Sequence, residues 1–146
     1  MYVTIQESDT YFSTALDHVY WDEASSDRKT RALSTATRLI DALNFAGSKT
    51  VAAQEYEFPR GTDLVVPQAI KDACCERAYA LLSGRDPEME SFGLNQYDVG
   101  IGGANVKSNI TLIPDNVLLN IVSTKAWSLL RPFLRDSRDL HLSRIS

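Results

Sequence analysis

Histidine, cysteine and long apolar runs are all scarce in this chain, and each scarcity removes a class of function. Only His18 and His141 are present, far apart in sequence, so a zinc site is not expected. The two cysteines are neighbours, Cys74-Cys75, and cannot tie distant segments together. A vicinal disulfide inside a helix would be strained, so the pair fits a reducing cytoplasm. No stretch approaches the roughly 20 consecutive apolar residues that span a bilayer. The opening Met1-Tyr2-Val3-Thr4-Ile5-Gln6-Glu7 lacks a basic segment followed by an apolar one. The sequence therefore predicts neither secretion nor membrane insertion. An excess of positive charge is missing too: the net charge is −4, against what a protein that coats nucleic acid requires.

What remains is ordinary globular material. The chain has 146 residues, 44% of them hydrophobic and 23% charged. That is the length of one domain, able to bury roughly 68–70% of the surface of its unfolded form without disulfides or structural metals. The charge is unevenly spread. Residues 1–130 hold 11 basic and 17 acidic side chains, whereas residues 131–146 hold 4 basic and 2 acidic. An acidic body of −6 carries a tail of +2.

The expected fold is mainly α: a four-helix single domain with a β-hairpin or long-loop insertion at about 85–113, and an extended C-terminal segment, 131–146. Ser8 or Asp9 can cap a first helix, with Phe12, Ala15, Leu16 and Val19 at helical spacing. Ser25, Ser26 or Asp27 can cap a second that runs to about Asn44, its apolar face being Leu33, Ala36, Thr37, Ile40 and Leu43 and its terminator Gly47. Residues 48–66, with Phe58-Pro59-Arg60-Gly61, show little periodicity and read as an ordered loop. Pro67 opens a third helix, with Ile70, Ala73, Cys74, Ala78 and Leu81 buried and Gly84 as the stop. At most one of the two adjacent cysteines is expected to join that stripe. Pro114 and Asp115 start a fourth helix, with Leu118, Ile121, Val122, Ala126 and Leu129 on its apolar side, which Pro132 ends.

Between Gly84 and Gly103 lie five of the seven glycines, followed by short alternating segments. Tyr97, Val99 and Ile101 on one side of Gly102-Gly103-Ala104-Asn105, with Ile110 and Leu112 on the other, make a hairpin or a long loop. This arm is a candidate contact surface for a neighbouring subunit or a tail component, since strand edges accept further strands. Folding back onto its own helices is the equal alternative.

A search for chemistry finds little. Gly100-Ile101-Gly102-Gly103 reads as a turn, because no helix is expected to begin there as a phosphate-binding loop requires. No serine sits in a nucleophile motif. Asp22-Glu23 and Glu55 with Glu57 have the chemistry for a divalent ion or acid–base work, yet such pairs are ordinarily a solvated face. Tyr2, Tyr11, Tyr20 and Trp21 sit among Asp9, Asp17, Asp22 and Glu23, which favours packing over stacking on nucleic-acid bases. No catalytic residue, cofactor or metal is expected, and the chain does not read as an enzyme.

Several segments in order resemble the small head-to-tail adaptor, or connector, proteins of tailed bacteriophages. They are Tyr2-Val3-Thr4 leading into Glu7-Ser8-Asp9-Thr10-Tyr11-Phe12, then Trp21-Asp22, then Ala36-Thr37-Arg38-Leu39-Ile40-Asp41-Ala42-Leu43-Asn44-Phe45-Ala46-Gly47. Phe58-Pro59-Arg60, Val66-Pro67-Gln68-Ala69-Ile70-Lys71-Asp72-Ala73 with Glu76, and Ile113-Pro114 follow. The order and spacing of these pieces, from Tyr2 to Leu134, carry the resemblance. It implies a mainly helical subunit of the virion neck, assembled in the bacterial cytoplasm into a homo-oligomeric ring, usually of twelve copies, beneath the portal protein. Its partners would be the portal, a downstream tail or neck protein, and double-stranded DNA that passes through without specific binding. Sequences of this kind are also labelled as resembling a primosomal, DnaT-like single-stranded-DNA-binding domain, a reading against which the acidic body counts.

The resemblance implies that the C-terminal segment inserts into the portal. The residues suit that role: Phe133, Leu134, Leu140, Leu142 and Ile145 would be apolar anchors, with Arg131, Arg135 and Arg138 pairing with carboxylates. Repetition around a ring would offset the entropy lost when each tail orders. Excess carboxylates lining a channel would repel phosphates and let DNA slide.

Overall fold

The computed structural model describes residues 1–85, 116 and 119–135. It is a mainly helical single domain with five α-helices among the described residues: α1 (Ile5–Phe12), α2 (Val19–Asp22), α3 (Ser26–Asp41), α4 (Gln68–Leu82) and α5 (Thr124–Leu130). A 3-10 turn, Arg131–Phe133, closes the described chain. The proposed hairpin residues Tyr97, Val99, Ile101, Ile110 and Leu112, and tail residues Arg138, Leu140, Leu142 and Ile145, lie outside the described residues.

The first helix begins and ends earlier than its apolar spacing suggests. Thr4 is the N-cap: its hydroxyl accepts from the Glu7 N–H at 3.2 Å, while the Glu7 carboxylate accepts from the Thr4 N–H at 2.8 Å. This reciprocal capping box outcompetes Ser8 and Asp9 as a start. After Phe12 the Ser13 and Thr14 hydroxyls donate to the carbonyls of Thr10 and Tyr11, at 2.7 and 3.2 Å, offering the backbone partners other than a continuing helix. Leu16 consequently points into solvent, and Val19 starts a separate turn, α2.

α3 is capped by Ser25, whose hydroxyl accepts from the Arg28 N–H at 3.3 Å. Its expected stripe is buried: Leu33, Ala36 and Ile40 fully, Thr37 and Leu43 nearly so. The helix stops at Asp41, several residues before Gly47, which instead turns the following loop at φ +72°.

Pro67 precedes α4 as its N-cap rather than its first residue. Gly84 ends it as expected. At φ +79° it lets its own N–H reach the Leu81 carbonyl and that of Arg85 reach the Ala80 carbonyl, both at 3.1 Å, so the last turn's carbonyls are satisfied. α4 has no solvent side over its middle. Cys74, Cys75, Glu76, Arg77 and Ala78 are consecutive and all buried, so both cysteines are interior, not one. The helix is enclosed by α3, α5, α2 and α1 instead of lying on one of them, and its neighbours cover positions that periodicity alone would leave wet.

Pro114 and Asp115, expected to start the last helix, lie outside the described residues, Asn116 after them is helical, and α5 starts at Thr124, capped by Ser123. Ile121 and Val122 are buried but belong to an extended run before it, entered through Asn120 at φ +64°. α5 stops at Leu130, just ahead of Pro132 as expected, and Pro132 itself sits inside the 3-10 turn that follows.

The helices run alternately up and down. Tyr2 near Thr37, and Asp9 near Lys29, set α1 antiparallel to α3. Lys71 near Glu7, and Tyr79 near Phe12, set α4 parallel to α1. Lys125 near Asp17, and Phe133 near Phe58, return α5 in the direction of α3. The bundle therefore has two ends, separated by the length of α3, about 24 Å for its 16 residues. One, the α2 end, gathers residues 13–25, 83–85 and 119–125. The other, the loop end, gathers residues 1–4, 42–67 and 131–135.

Candidate functional site

The loop end is built from a segment with no helical period. Gln54 organises its middle, the side-chain amide donating to the carbonyls of Tyr56 and Pro59, both at 2.8 Å, while its oxygen accepts from the Val51 N–H at 3.1 Å. Arg60 holds the loop to the end of α3. Its guanidinium donates to the carbonyls of Ala46 at 2.9 Å and Gly47 at 2.6 Å and pairs with the Glu57 carboxylate. Tyr2 lies beneath, its hydroxyl bonded to the Asp41 carboxylate, which also accepts from the Glu57 N–H. Burial pushes the Tyr2 phenol above its ordinary value, with Asp41 adding to the shift, and burial also raises Asp41.

The C-terminal segment leaves the body across this platform. The Ala46 N–H donates to the Phe133 carbonyl at 2.9 Å, and the Arg135 N–H to the Asn44 carbonyl at 3.0 Å, around an antiparallel bridge between Phe45 and Leu134. Phe58 is the hub, in edge-on contact with Phe45 at 4.7 Å and Phe133 at 5.6 Å. Of the residues singled out for docking, Phe133 and Leu134 are half-buried against the chain's own core, while Arg131 and Arg135 are exposed. The segment is thus fastened to the body as far as Arg135.

At the α2 end, Asp9 joins two elements. It accepts from the Trp21 indole N–H at 2.7 Å and from Lys29 at 3.1 Å, and Lys29 lies 4.8 Å from the Trp21 ring centre. Trp21 is buried and stacked on Phe12 at 4.9 Å, so the N-terminal aromatics pack, apart from the half-exposed Tyr20. His18 does have a carboxylate one helical turn on, Asp22, at 2.8 Å, a spacing the sequence reading passed over. Among the described residues no group of three or more His, Cys, Asp or Glu side chains is placed to hold a metal ion.

Six of the cations around the bundle are matched by carboxylates. Lys29 meets Asp9, Arg31 meets Asp27, Lys49 and Arg60 share Glu57, Lys71 meets Glu7, and Lys125 meets Asp17. Of the two acidic pairs read from sequence, Glu57 pairs with Lys49 and Arg60, and Asp22 shares a hydrogen bond with the His18 ring. Arg28, Arg38, Arg131 and Arg135 pair with no carboxylate among the described residues, and Arg77 differs from them as well. It is buried, its Nε donates to the Asn120 carbonyl at 3.2 Å, and burial followed by the charge of Arg85 lowers it to about 10, which leaves it protonated at neutral pH. Its Nη1 finds no partner among the described residues. Glu76 beside it accepts from the Tyr11 hydroxyl at 2.7 Å. Neither residue stood out in the sequence, because nothing local signals that a charged pair at adjacent positions of a helix will both be enclosed.

No helix of the described chain is long and apolar enough to cross a membrane. Compared with known proteins, residues 1–95 match a family described as "Putative DnaT-like ssDNA binding protein". No curated protein and no solved structure matches the chain.

Proposed function

This chain belongs to the DnaT-like ssDNA binding protein family, and from that premise we propose that it is a non-enzymatic structural adaptor of a tailed-phage neck, a ring subunit seated beneath a portal. The observation that carries the reading is the pairing of cations with carboxylates around an acidic bundle, together with a basic segment that leaves one end of it. Lysines and arginines committed to carboxylates are poorly placed to neutralise phosphates, which is what binding single strands demands. A negatively charged body instead suits a passage along which DNA slides.

In this reading residues 131–135 form the root of the docking segment and the residues beyond reach into the portal, with Arg138, Leu140, Leu142 and Ile145 as contacts. Anchoring the root costs nothing at the moment of docking, since Phe133 and Leu134 are already seated. Repetition around the ring multiplies a modest contact. The residues of 97–112 would face a neighbouring subunit or the downstream neck protein.

The family description favours a second reading, direct binding of single-stranded DNA. The two separate cleanly. Electron microscopy of the full chain mixed with purified portal rings of the same phage should reveal added density under the portal, lost when residues 136–146 are deleted. Anisotropy titration with single-stranded DNA should give weak binding. Tight binding with a steep salt slope, and no density on the portal, would replace the adaptor reading with the second one.

A further inference from the structure

Leu64 stands 89% exposed at the loop end, with Val65 after it and Val51 across the loop also in water. All three are held in place. The Thr50 N–H donates to the Pro59 carbonyl at 3.1 Å and its hydroxyl to the Asp63 carbonyl at 2.9 Å, so Val51 and Leu64 each follow a residue of one bonded pair. Apolar groups that are already rigid lose little freedom when covered, and a cluster of them in water marks a surface that another segment covers.

The charges beside this cluster are specific. Asp63 is exposed, and its carboxylate meets no cation among the described residues. The neighbouring cations are already engaged: Lys49 and Arg60 share Glu57, and the Met1 amino group donates to the Tyr56 hydroxyl at 2.7 Å. What fits is therefore an apolar strand that brings its own cation.

Residues 136–146 carry that pattern. Arg138, Leu140 and Leu142 alternate, so an extended chain puts all three on one face. The segment also starts from the right place, since the Arg135 N–H is bonded to the Asn44 carbonyl at the same end of the bundle. Leu140 and Leu142 stand five and seven residues beyond Arg135, roughly 17–25 Å of extended chain, enough to cross an end formed by helices packed about 8–10 Å apart. A tether this short holds the segment at a local concentration that a partner from solution rarely matches.

We infer that residues 136–146 fold back onto the loop end of their own chain, Leu140 and Leu142 covering Val51, Leu64 and Val65 while Arg138 pairs with Asp63, and that the docking segment is held there until a partner displaces it. The inference deepens the adaptor reading and rests on it only for what does the displacing. A contact that must open is shallow. Closed about nine-tenths of the time, it shields the segment roughly tenfold, raises the concentration of partner needed by the same factor, and opens well before the bundle melts.

The initial rate of trypsin cleavage after Arg144 in the full chain, without portal or DNA, tests the contact against a free peptide of residues 131–146. Wild type should be cut about tenfold more slowly than the peptide, at a rate independent of protein concentration. Leu64→Asn should restore the peptide's rate, with Val65→Asn as a second variant should the first fail to fold, whereas Leu16→Asn at the opposite end should change nothing. Wild type cut at the peptide's rate, or protection untouched by the loop-end variants, overturns the inference. So does protection that vanishes on dilution, which would put a neighbouring copy's segment on this surface. On purified portal rings Leu64→Asn should dock about tenfold more tightly than wild type, having no stored contact to undo. Weaker docking would make the portal itself the occupant and overturn the inference. A chain that shields its segment yet ignores portal rings would sink the adaptor reading alone.

Discussion

The Phe133 ring stands edge-on to that of Phe58, centroids 5.6 Å apart and planes at 89°, so the root of the C-terminal segment is a member of the core it leaves. A cut within the last sixteen residues therefore has two different effects, depending on which side of this contact it falls. Ending the chain after Arg135 should leave the melting temperature unchanged. Ending it after Leu130, or replacing Phe133 by Ala, should destabilise the body by about 1–3 kcal/mol, below the loss for a wholly buried Phe because the ring is half-exposed. Thermal melts of the three variants check this. Equal melting for both truncations would mean that the segment adds nothing to the fold.

Asp9 bridges α1 to α2 and α3. Asp9→Ala leaves the buried Trp21 indole N–H without its acceptor and frees Lys29, an expected loss of about 1–3 kcal/mol. Asp9→Asn keeps an acceptor and should lose less. Urea titration followed by Trp fluorescence measures the difference.

Both thiols are pushed up by burial, Cys74 to about 11 and Cys75 to about 12. A thiolate is the reactive form, so neither should react with a disulfide reagent at neutral pH while the protein is folded, and both should react once it is unfolded in denaturant. Fast labelling of the native protein would show that α4 opens locally.

Lys71, with the Thr4 backbone and hydroxyl, holds the Glu7 carboxyl down at about 2 against its ordinary 4.5. A depressed carboxyl stabilises the fold above its unfolded value, and that stability is lost as pH falls through the interval between the two. Wild type should exceed Glu7→Gln by about 1 kcal/mol or less at neutral pH, the pair being well solvated, and the gap should close as pH falls from 4.5 to 2. Thr4→Ala removes the cap itself and should cost about 1 kcal/mol at neutral pH. Melts across pH test both.

Much of the bundle was legible because it obeys local rules. Leu33, Ala36 and Ile40 follow the helical period, Ser25 is a cap, and Gly84 is a stop. The first helix was misplaced for an equally local reason. Thr4-Ile5-Gln6-Glu7 is a capping box in plain sight, outweighed in the reading by the apolar spacing of Ala15, Leu16 and Val19. The enclosure of Cys75, Glu76 and Arg77 is different in kind. It depends on four other helices arriving around α4, a tertiary fact that no window of sequence contains. Residues 48–66 were recognised as ordered, but which side chains order them was not, since Arg60 and Gln54 act on carbonyls chosen by the path of the chain. Pro132 marks the end of α5 correctly, but the seat of Phe133 beyond it exists only once Phe58 is fixed.

α4, shut in on every side at its middle, behaves as the mast of the molecule. Substitutions along it disturb all its neighbours together, while Leu16 or Leu64 can be exchanged without the mast registering the change. Either extremity can thus be altered without renegotiating how the bundle stands.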